Sequence, residues 1–453
     1  MIATIKSLHQ VLWGVPTVIL ILLVGLLLSV KTQFFQIRFF PKAFQRFISV
    51  FRRQDKEDNS VSPYQALCTA LAATVGTGNI VGVAGAISIG GPGAVFWLWI
   101  CAFFGMIIKC CEATLSVRYR RKLGDGEYHG GPMYMIEFGI GSKWKWLASM
   151  YALFGVVAAF GVGNATQINA VISGIHSASS AFSLQIPISV DLLIAAILAG
   201  LIGCMQMGGA QRIGKITEAL VPVASVVYIV LGLSILIVRA QDIPAAFSAI
   251  IHGAFSPKAV TGGAVGSFWI VCRTGASRGV FTNEAGMGTA SIAHASANVK
   301  HPVEQGLMGI MEVFLDTLVI CTVTALVILC SGITIPYGTD AGATLTIDAF
   351  SVVYGKWASL FLSLCLMLFA VATVVGWGLY GLRCAQYLLG YNVKNIFIIL
   401  QMLTVVACTV LNTSTVWLIA ECMNALMAIP NLLALVKLSN EFSQMTNEYR
   451  NKR

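Results

Sequence analysis

The chain has 453 residues, 57% of them hydrophobic and only 11% charged, with a mean hydropathy of +0.81. Soluble domains carry roughly 25% charged residues, so most of this surface must face lipid. The net charge of +10 would suit nucleic acid only if the basic residues clustered on one soluble face; they fall in short segments between apolar runs, which excludes that partner.

A helix crossing the hydrocarbon core needs about 20 mostly apolar residues, and backbone groups in lipid must pair internally. The composition therefore predicts an all-α, polytopic membrane protein with about eleven spans: 11–31, 64–89, 92–118, 145–175, 189–208, 213–238, 262–297, 303–331, 357–387, 394–412 and 415–437. The first run has no strong positive segment before it and no small-residue cleavage site before Lys31, so it reads as a retained span and not a signal peptide. The segment from Phe34 to Phe51 interleaves aromatic and basic residues and predicts an amphipathic helix on the inner leaflet. The loops 239–261 and 332–356 carry Pro and Gly and predict short helices over an outer vestibule. Cysteines such as Cys101, Cys321, Cys330, Cys365 and Cys408 sit singly in apolar stretches, as small hydrophobes do.

Orientation follows from the Lys/Arg bias of short loops. With the N-terminus outside and the C-terminus in the cytoplasm, the inner segments collect most of the 29 basic residues, including Arg38, Lys42, Arg46, Arg53, Lys56, Arg120, Arg121, Lys122, Lys300, Lys394, Lys452 and Arg453. The outer side keeps Lys6, Arg239, Lys258 and Lys356, and Lys109, Arg273 and Arg278 lie at membrane depth. The cell membrane of a prokaryote, the bacterial inner membrane, is the expected location.

Without its first helix, the bundle divides into two inverted fives: residues 1–62 form the N-terminal helix and amphipathic segment, 63–238 the first repeat, 239–438 the second and 439–453 a tail. The first helix of each half is interrupted by glycine. The second span contains Gly76-Thr77-Gly78-Asn79, Gly82 and Gly85; the seventh contains Gly262, Gly263, Gly266, Gly275 and Gly279. Paired interruptions point to a transporter's midplane site, where half-helix N-termini favour a carboxylate and free carbonyls a cation. Close helix packing is the competing explanation. It covers Gly78, Gly82 and Gly85 well, but not an Asn at that depth.

The stretches GTGNIVGVAGAISIGGPGAVFWLW (76–99), HGGPMYMIE (129–137), SRGVFTNEAGMGTASIAHA (277–295), HPVEQG (301–306) and FLDTLVICTVTALVIL (314–329) resemble the sodium:alanine/glycine symporters, over nearly the whole chain. The resemblance implies a leucine-transporter-like five-plus-five inverted-repeat bundle with one additional N-terminal helix, importing alanine or glycine with Na⁺. It implies that Thr77, Gly78 and Asn79 bind the substrate carboxylate and that Gln167 reaches into the pocket, against the alternative of an inter-helix hydrogen bond. Trp377 is implied as a pocket wall, against plain core packing, and the seventh span as unwound near Ile270, Thr274, Gly275 and Ala276. For Na⁺ it implies the carbonyls of Ala72, Val75 and Phe369 with the Thr373 hydroxyl, oxygen ligands that suit a hard cation. Here the family's usual serine-threonine pair is Ala372-Thr373, one hydroxyl fewer, which leaves H⁺ coupling as the alternative.

Glu112, Arg273, Arg278, Glu284, Glu312 and Asp316 are ionisable at membrane depth and hence functional suspects. Glu312 and Asp316, four apart, share a helix face, and Arg273 or Arg278 is the expected partner of one of them, as a fixed ion pair or as a gate. A channel would need a symmetric ring of polar residues, and a membrane enzyme a constellation such as HExxH or GxSxG. The chain offers only two interruptions, and its six His residues, His294 and His301 among them, show no metal-ligand spacing.

Overall fold

The computed structural model describes residues 5, 9, 11–52, 60–123, 126–263, 265, 267–339, 341–409 and 414–451. Lys6, Arg53, Lys56, Gly266, Lys452, Arg453 and the last three residues of the expected tenth span, 410–412, lie outside the described residues.

Helices cover all eleven expected segments. In chain order they are α1 (Val15–Lys31), α2 (Phe40–Arg52), α3 (Pro63–Thr74), α4 (Val83–Gly90), α5 (Ala94–Tyr119), α6 (Lys145–Phe160), α7 (Thr166–Ala181), α8 (Ile188–Met207), α9 (Gly209–Val238), α10 (Ile243–Phe255), α11 (Phe268–Asn283), α12 (Thr289–His294), α13 (Pro302–Val313), α14 (Thr322–Cys330), α15 (Gly342–Tyr354), α16 (Trp357–Leu389), α17 (Lys394–Ala407) and α18 (Ser414–Asn451). Among the described residues seven helical stretches are long and apolar enough to cross a membrane, and α3 with the segment Gly78–Gly90 makes an eighth across a 52° bend. Helices α1 and α17 are apolar but shorter, and the seventh expected span is divided between α11 and α12. Large side chains such as Leu193, Val223, Val226 and Ile237 stand exposed on α8 and α9, as lipid-facing positions should.

Local chemistry fixes where the broken helix begins. Ser62 and Gln65 form a reciprocal capping box at the start of α3, each bond 3.1 Å long, with Pro63 in the first turn. Thr74 ends the helix and Val75 turns extended, at φ −76° and ψ 102°. The chain then re-enters a helix through the wide π-turn Gly78–Gly82. Two further π-turns, Gly161–Ala165 and Phe314–Cys321, lie beside that break or opposite it, and such turns frequently mark functional places.

The amphipathic segment shares its apolar side between lipid and protein. Phe35, Phe39 and Ala43 are buried, Phe40 packs edge-on against Phe314, and Arg46 pairs with Glu304 at 3.1 Å, while Phe34, Ile37 and Phe44 are exposed. The two long loops carry α10 and α15, as their length suggested.

Several glycines exist for contact. A Cβ on Gly275 would stand 2.1 Å from the Ala94 carbonyl oxygen, and one on Gly93 would stand 2.1 Å from the Gly253 carbonyl carbon. Gly200, by contrast, has nothing within 4 Å. Gly275→Ala should therefore cost about 1–3 kcal/mol by overpacking and lower the melting temperature in detergent. Gly200→Ala should leave the melting temperature unchanged or raise it, since helix propensity adds up to about 1 kcal/mol of stability.

Candidate functional site

The first break is held open by one carboxamide. Asn79 Oδ1 accepts the Gly76 N–H at 2.8 Å, and Asn79 Nδ2 donates to the Asp316 carboxylate at 2.7 Å and to the Asp316 carbonyl at 3.1 Å. Among the described residues no hydrogen bond engages the N–H of Thr77 or Gly78, which leaves these two donors at the start of a helix, where the helix dipole favours an anion.

The second break is not where the glycines of the seventh span suggested. Ile270, Thr274, Gly275 and Ala276 lie inside the regular helix α11, and unwinding occurs at 284–288, where Glu284, Gly286 and Gly288 have φ of 53°, 93° and 77°. The physical reason is packing: Gly275 and Gly279 lie against α5, next to Ala94 and Cys101, so they allow close approach and keep their helical bonds. The real break is capped from outside. Glu112 Oε1 accepts the N–H groups of Gly286 at 2.9 Å and Gly288 at 3.1 Å, together with Asn431 Nδ2 at 2.6 Å.

Two cavities meet at the first break. The larger, about 780 Å³, is lined by His9, Trp13, Ile89, Ser177, Ala343 and Glu421 near one membrane face, and by Thr77, Gly78 and Phe281 at its floor. These wall residues come from the starts of α1, α15 and α18 and the ends of α4 and α7, so this vestibule reaches the face on which the chain begins. At the opposite face Asn298 N–H donates to Val61 O at 2.8 Å and Arg120 to Ala295 O at 3.0 Å, tying the entry to α3 and the end of α5 to the exit from α12.

The smaller cavity, about 20 Å³, lies beyond the floor and is lined by Thr74, Gly76, Thr77, Gly78, Gln167, Phe281, Glu284, Thr373, Trp377 and Asn424, with Ala73 and Val162. Thr77, Gly78 and Phe281 line both spaces. One part of this chamber offers donors, the Thr77 and Gly78 amides. Another offers acceptors: Gln167 Oε1 and Asn424 Oδ1 have no hydrogen-bond partner among the described residues, and Glu284 takes Trp377 Nε1 at 3.1 Å and Thr289 Oγ1 at 2.5 Å. Buried polar atoms are rarely left unsatisfied; here two such acceptors belong to residues lining one chamber, while others, such as Gln206 and Asn431 Oδ1, belong to residues that line neither cavity.

Of the residues singled out in the sequence, Thr77, Gly78, Gln167, Thr373 and Trp377 meet at this chamber, and Thr274, Arg273 and Arg278 line the vestibule. Ile270 and Gly275 line neither, and Asn79 is turned away into its brace with Asp316. Around the cation position, Thr373 Oγ1 donates to the Phe369 carbonyl at 2.9 Å and stands 3.0 Å from where a Gly76 Cβ would be. Ala72, Val75 and Phe369 are buried in one apolar cluster, and α3 packs closely on α16 there: a Cβ on Gly376 would stand 3.1 Å from Ala73 Cβ.

The expected ion pairing is corrected. Glu312 is held by Lys109, Nζ to Oε1 at 3.0 Å, and by His294, Nε2 to Oε2 at 2.9 Å; His294 Nδ1 faces Gln305 Nε2 at 2.7 Å. Asp316 is held by Asn79 and by Thr317 Oγ1 at 2.7 Å. Arg273 and Arg278 pair with neither acid, because α11 turns them into the vestibule while α5 sets Lys109 against α13. Phe281 and Asn424 are not singled out by the sequence, and Glu284 is singled out there only as an ionisable residue at membrane depth. An Asn in the apolar run of the last span, and an acid followed by alternating glycines in EAGMG, were the signals available.

Two broken helices facing a small polar chamber at the foot of a vestibule define a helical membrane transporter. The chain belongs to the sodium:alanine symporter family, whose model matches residues 1–453. It is 39% identical to the sodium/alanine symporter AgcS of Methanococcus maripaludis over 97% of this chain and 95% of that one. It is 35% identical to the probable sodium/glutamine symporter GlnT of Bacillus subtilis, over 97% and 89%. The crystal structure of MhsT in complex with L-phenylalanine superposes with a TM-score of 0.58 at 13% identity, over 86% of this chain and 99% of that one. The fold is thus the leucine-transporter type, and the chain is a multi-pass, cation-coupled amino-acid symporter.

Glu112→Ala would strand the Gly286 and Gly288 amides, each orphan costing about 1–3 kcal/mol, and would leave Asn431 Nδ2 with the Gly286 carbonyl at 2.8 Å as its acceptor. The melting temperature should fall sharply for Glu112→Ala and much less for Glu112→Gln, which keeps an acceptor; equal losses would contradict this account of the second break.

Proposed function

We propose that the protein imports alanine or glycine together with Na⁺ by alternating access. The chamber carries the reading: it sets free amide donors and orphaned acceptors in a space of about 20 Å³, walled by Trp377 and Phe281. A zwitterion satisfies both, its carboxylate on the Thr77 and Gly78 amides and its ammonium towards Gln167, Asn424 and Glu284. So small a space, little more than the roughly 10–15 Å³ that one water requires, admits substrate only as Phe281 swings aside. It favours the smallest side chains beside the Trp377 indole.

Na⁺ sits in this reading between the Ala72, Val75 and Phe369 carbonyls and the Thr373 hydroxyl, and Asn79 acts as the brace of the break. The vestibule is the outer, extracellular entrance of a protein in the bacterial inner membrane, with the N-terminus outside and the C-terminus in the cytoplasm. The two inverted halves, 63–238 and 239–438, supply one broken helix each. One charge moving down 100 mV releases about 2.3 kcal/mol, and a tenfold Na⁺ gradient adds about 1.4 kcal/mol. Roughly 3.7 kcal/mol sustains a several-hundred-fold accumulation, so one Na⁺ per substrate suffices.

Proteoliposomes with an inward Na⁺ gradient should take up labelled L-alanine saturably. Glycine should compete better than glutamine or phenylalanine. Thr373→Ala should raise the Na⁺ concentration for half-maximal uptake while leaving the rate at saturating Na⁺ largely intact. Uptake driven by a pH gradient alone, without Na⁺, would replace Na⁺ by H⁺ in this reading, and non-saturable flux would overturn it.

A further inference from the structure

Helix α1 stands before both repeats, yet it meets the second broken helix at two points. Trp13, two residues ahead of α1, sets its indole against the Phe281 ring, with centroids 5.8 Å apart and planes at 65°. About two turns further on, buried Ile21 lies against the break itself: a Cβ on Gly286 would stand 3.1 Å from Ile21 Cγ1. The helix is tied to α18 at both ends. Trp13 Nε1 donates to the Glu421 carbonyl at 3.0 Å and His9 Nε2 faces the Glu421 carboxylate at 2.6 Å. At the other end Lys31 Nζ donates to Ser439 Oγ and Asn440 Oδ1, both at 2.7 Å.

Phe281 is the side chain these contacts act on. It is the large one of the three residues shared by vestibule and chamber, and a Cβ on Gly78 would stand 3.6 Å from its ring. The ring is thus held with the indole on one side and the first break on another. Edge-to-face packing favours one ring orientation over its alternatives. We propose that Trp13 is a positioning residue that holds Phe281 over the chamber, which makes the N-terminal helix a working part of the outer gate. The inference rests on the chamber being the amino-acid site. With the indole removed, the ring loses its stop towards the vestibule, and bound amino acid escapes backwards before the inner side opens.

The test is uptake of labelled L-alanine by proteoliposomes carrying Trp13→Ala, Trp13→Phe, Phe281→Ala or the Trp13→Ala/Phe281→Ala double variant, each normalised to monodisperse protein. Trp13→Ala should raise KM about three- to tenfold with the maximal rate nearly preserved, and Trp13→Phe should restore KM. In the double variant KM should be no higher than in Phe281→Ala, because both changes remove one interaction. An unchanged KM in Trp13→Ala, or effects that multiply in the double variant, would overturn the proposal. If Trp13→Ala is not recovered folded, Trp13→Leu keeps the apolar bulk without the aromatic edge and carries the same expectation. A wild-type protein that fails to take up alanine refutes the chamber assignment itself and the gate with it; a defect confined to the KM pattern of the variants refutes the gate alone.

Discussion

A backbone N–H or C=O without a partner costs several kcal/mol in hydrocarbon, and this chain interrupts two helices at membrane depth. Much of what is unusual inside the bundle answers that constraint. At the first break Asn79 stands in for the missing turn by accepting the Gly76 amide, and Asp316 holds the other end of the same carboxamide. At the second, Glu112 reaches across from α5 to two glycine amides and is itself steadied by Asn431. The buried Lys109–Glu312–His294 set then joins α5 to α13 and to the short helix after the break. Removing one partner of such a buried pair typically costs about 3–5 kcal/mol, so these helices are fixed to one another as a block.

Among the described residues, orphans such as Glu112 Oε2 and Asn431 Oδ1 belong to the braces, whereas the Thr77 and Gly78 amides, Gln167 Oε1 and Asn424 Oδ1 lack hydrogen-bond partners around one small chamber. In the proposed cycle the amino acid completes their hydrogen bonding, and Na⁺ does the same for the carbonyls where α3 ends. Binding energy is then available to close Phe281 and shift the braced block, because a guest can move a conformational equilibrium only by its difference in affinity for the two states.

The membrane architecture was legible because lipid imposes long apolar runs on the sequence, and the first break because Asn79 is too costly at that depth to be there for packing alone. The second break was misplaced for an equally physical reason. Glycines that admit a neighbouring helix, as Gly275 and Gly279 do, look the same in sequence as glycines that adopt positive φ, as Gly286 and Gly288 do. Only the neighbour distinguishes them, and the neighbour is remote in the chain. Pairing was illegible on the same ground: Lys109 and Glu312 are 203 residues apart, whereas Arg273 and Arg278 were merely close at hand. Asn424, Phe281 and Trp13 gain their meaning from a chamber that no single segment encloses.

In the proposed cycle amino acid and Na⁺ occupy adjoining parts of one broken-helix site. Equilibrium binding to the purified protein tests this most directly. Na⁺ should raise the affinity for L-alanine, and L-alanine should raise the affinity for Na⁺ by the same factor, since coupling between two ligands is reciprocal. L-alanine affinity that is the same with and without Na⁺ would contradict the account.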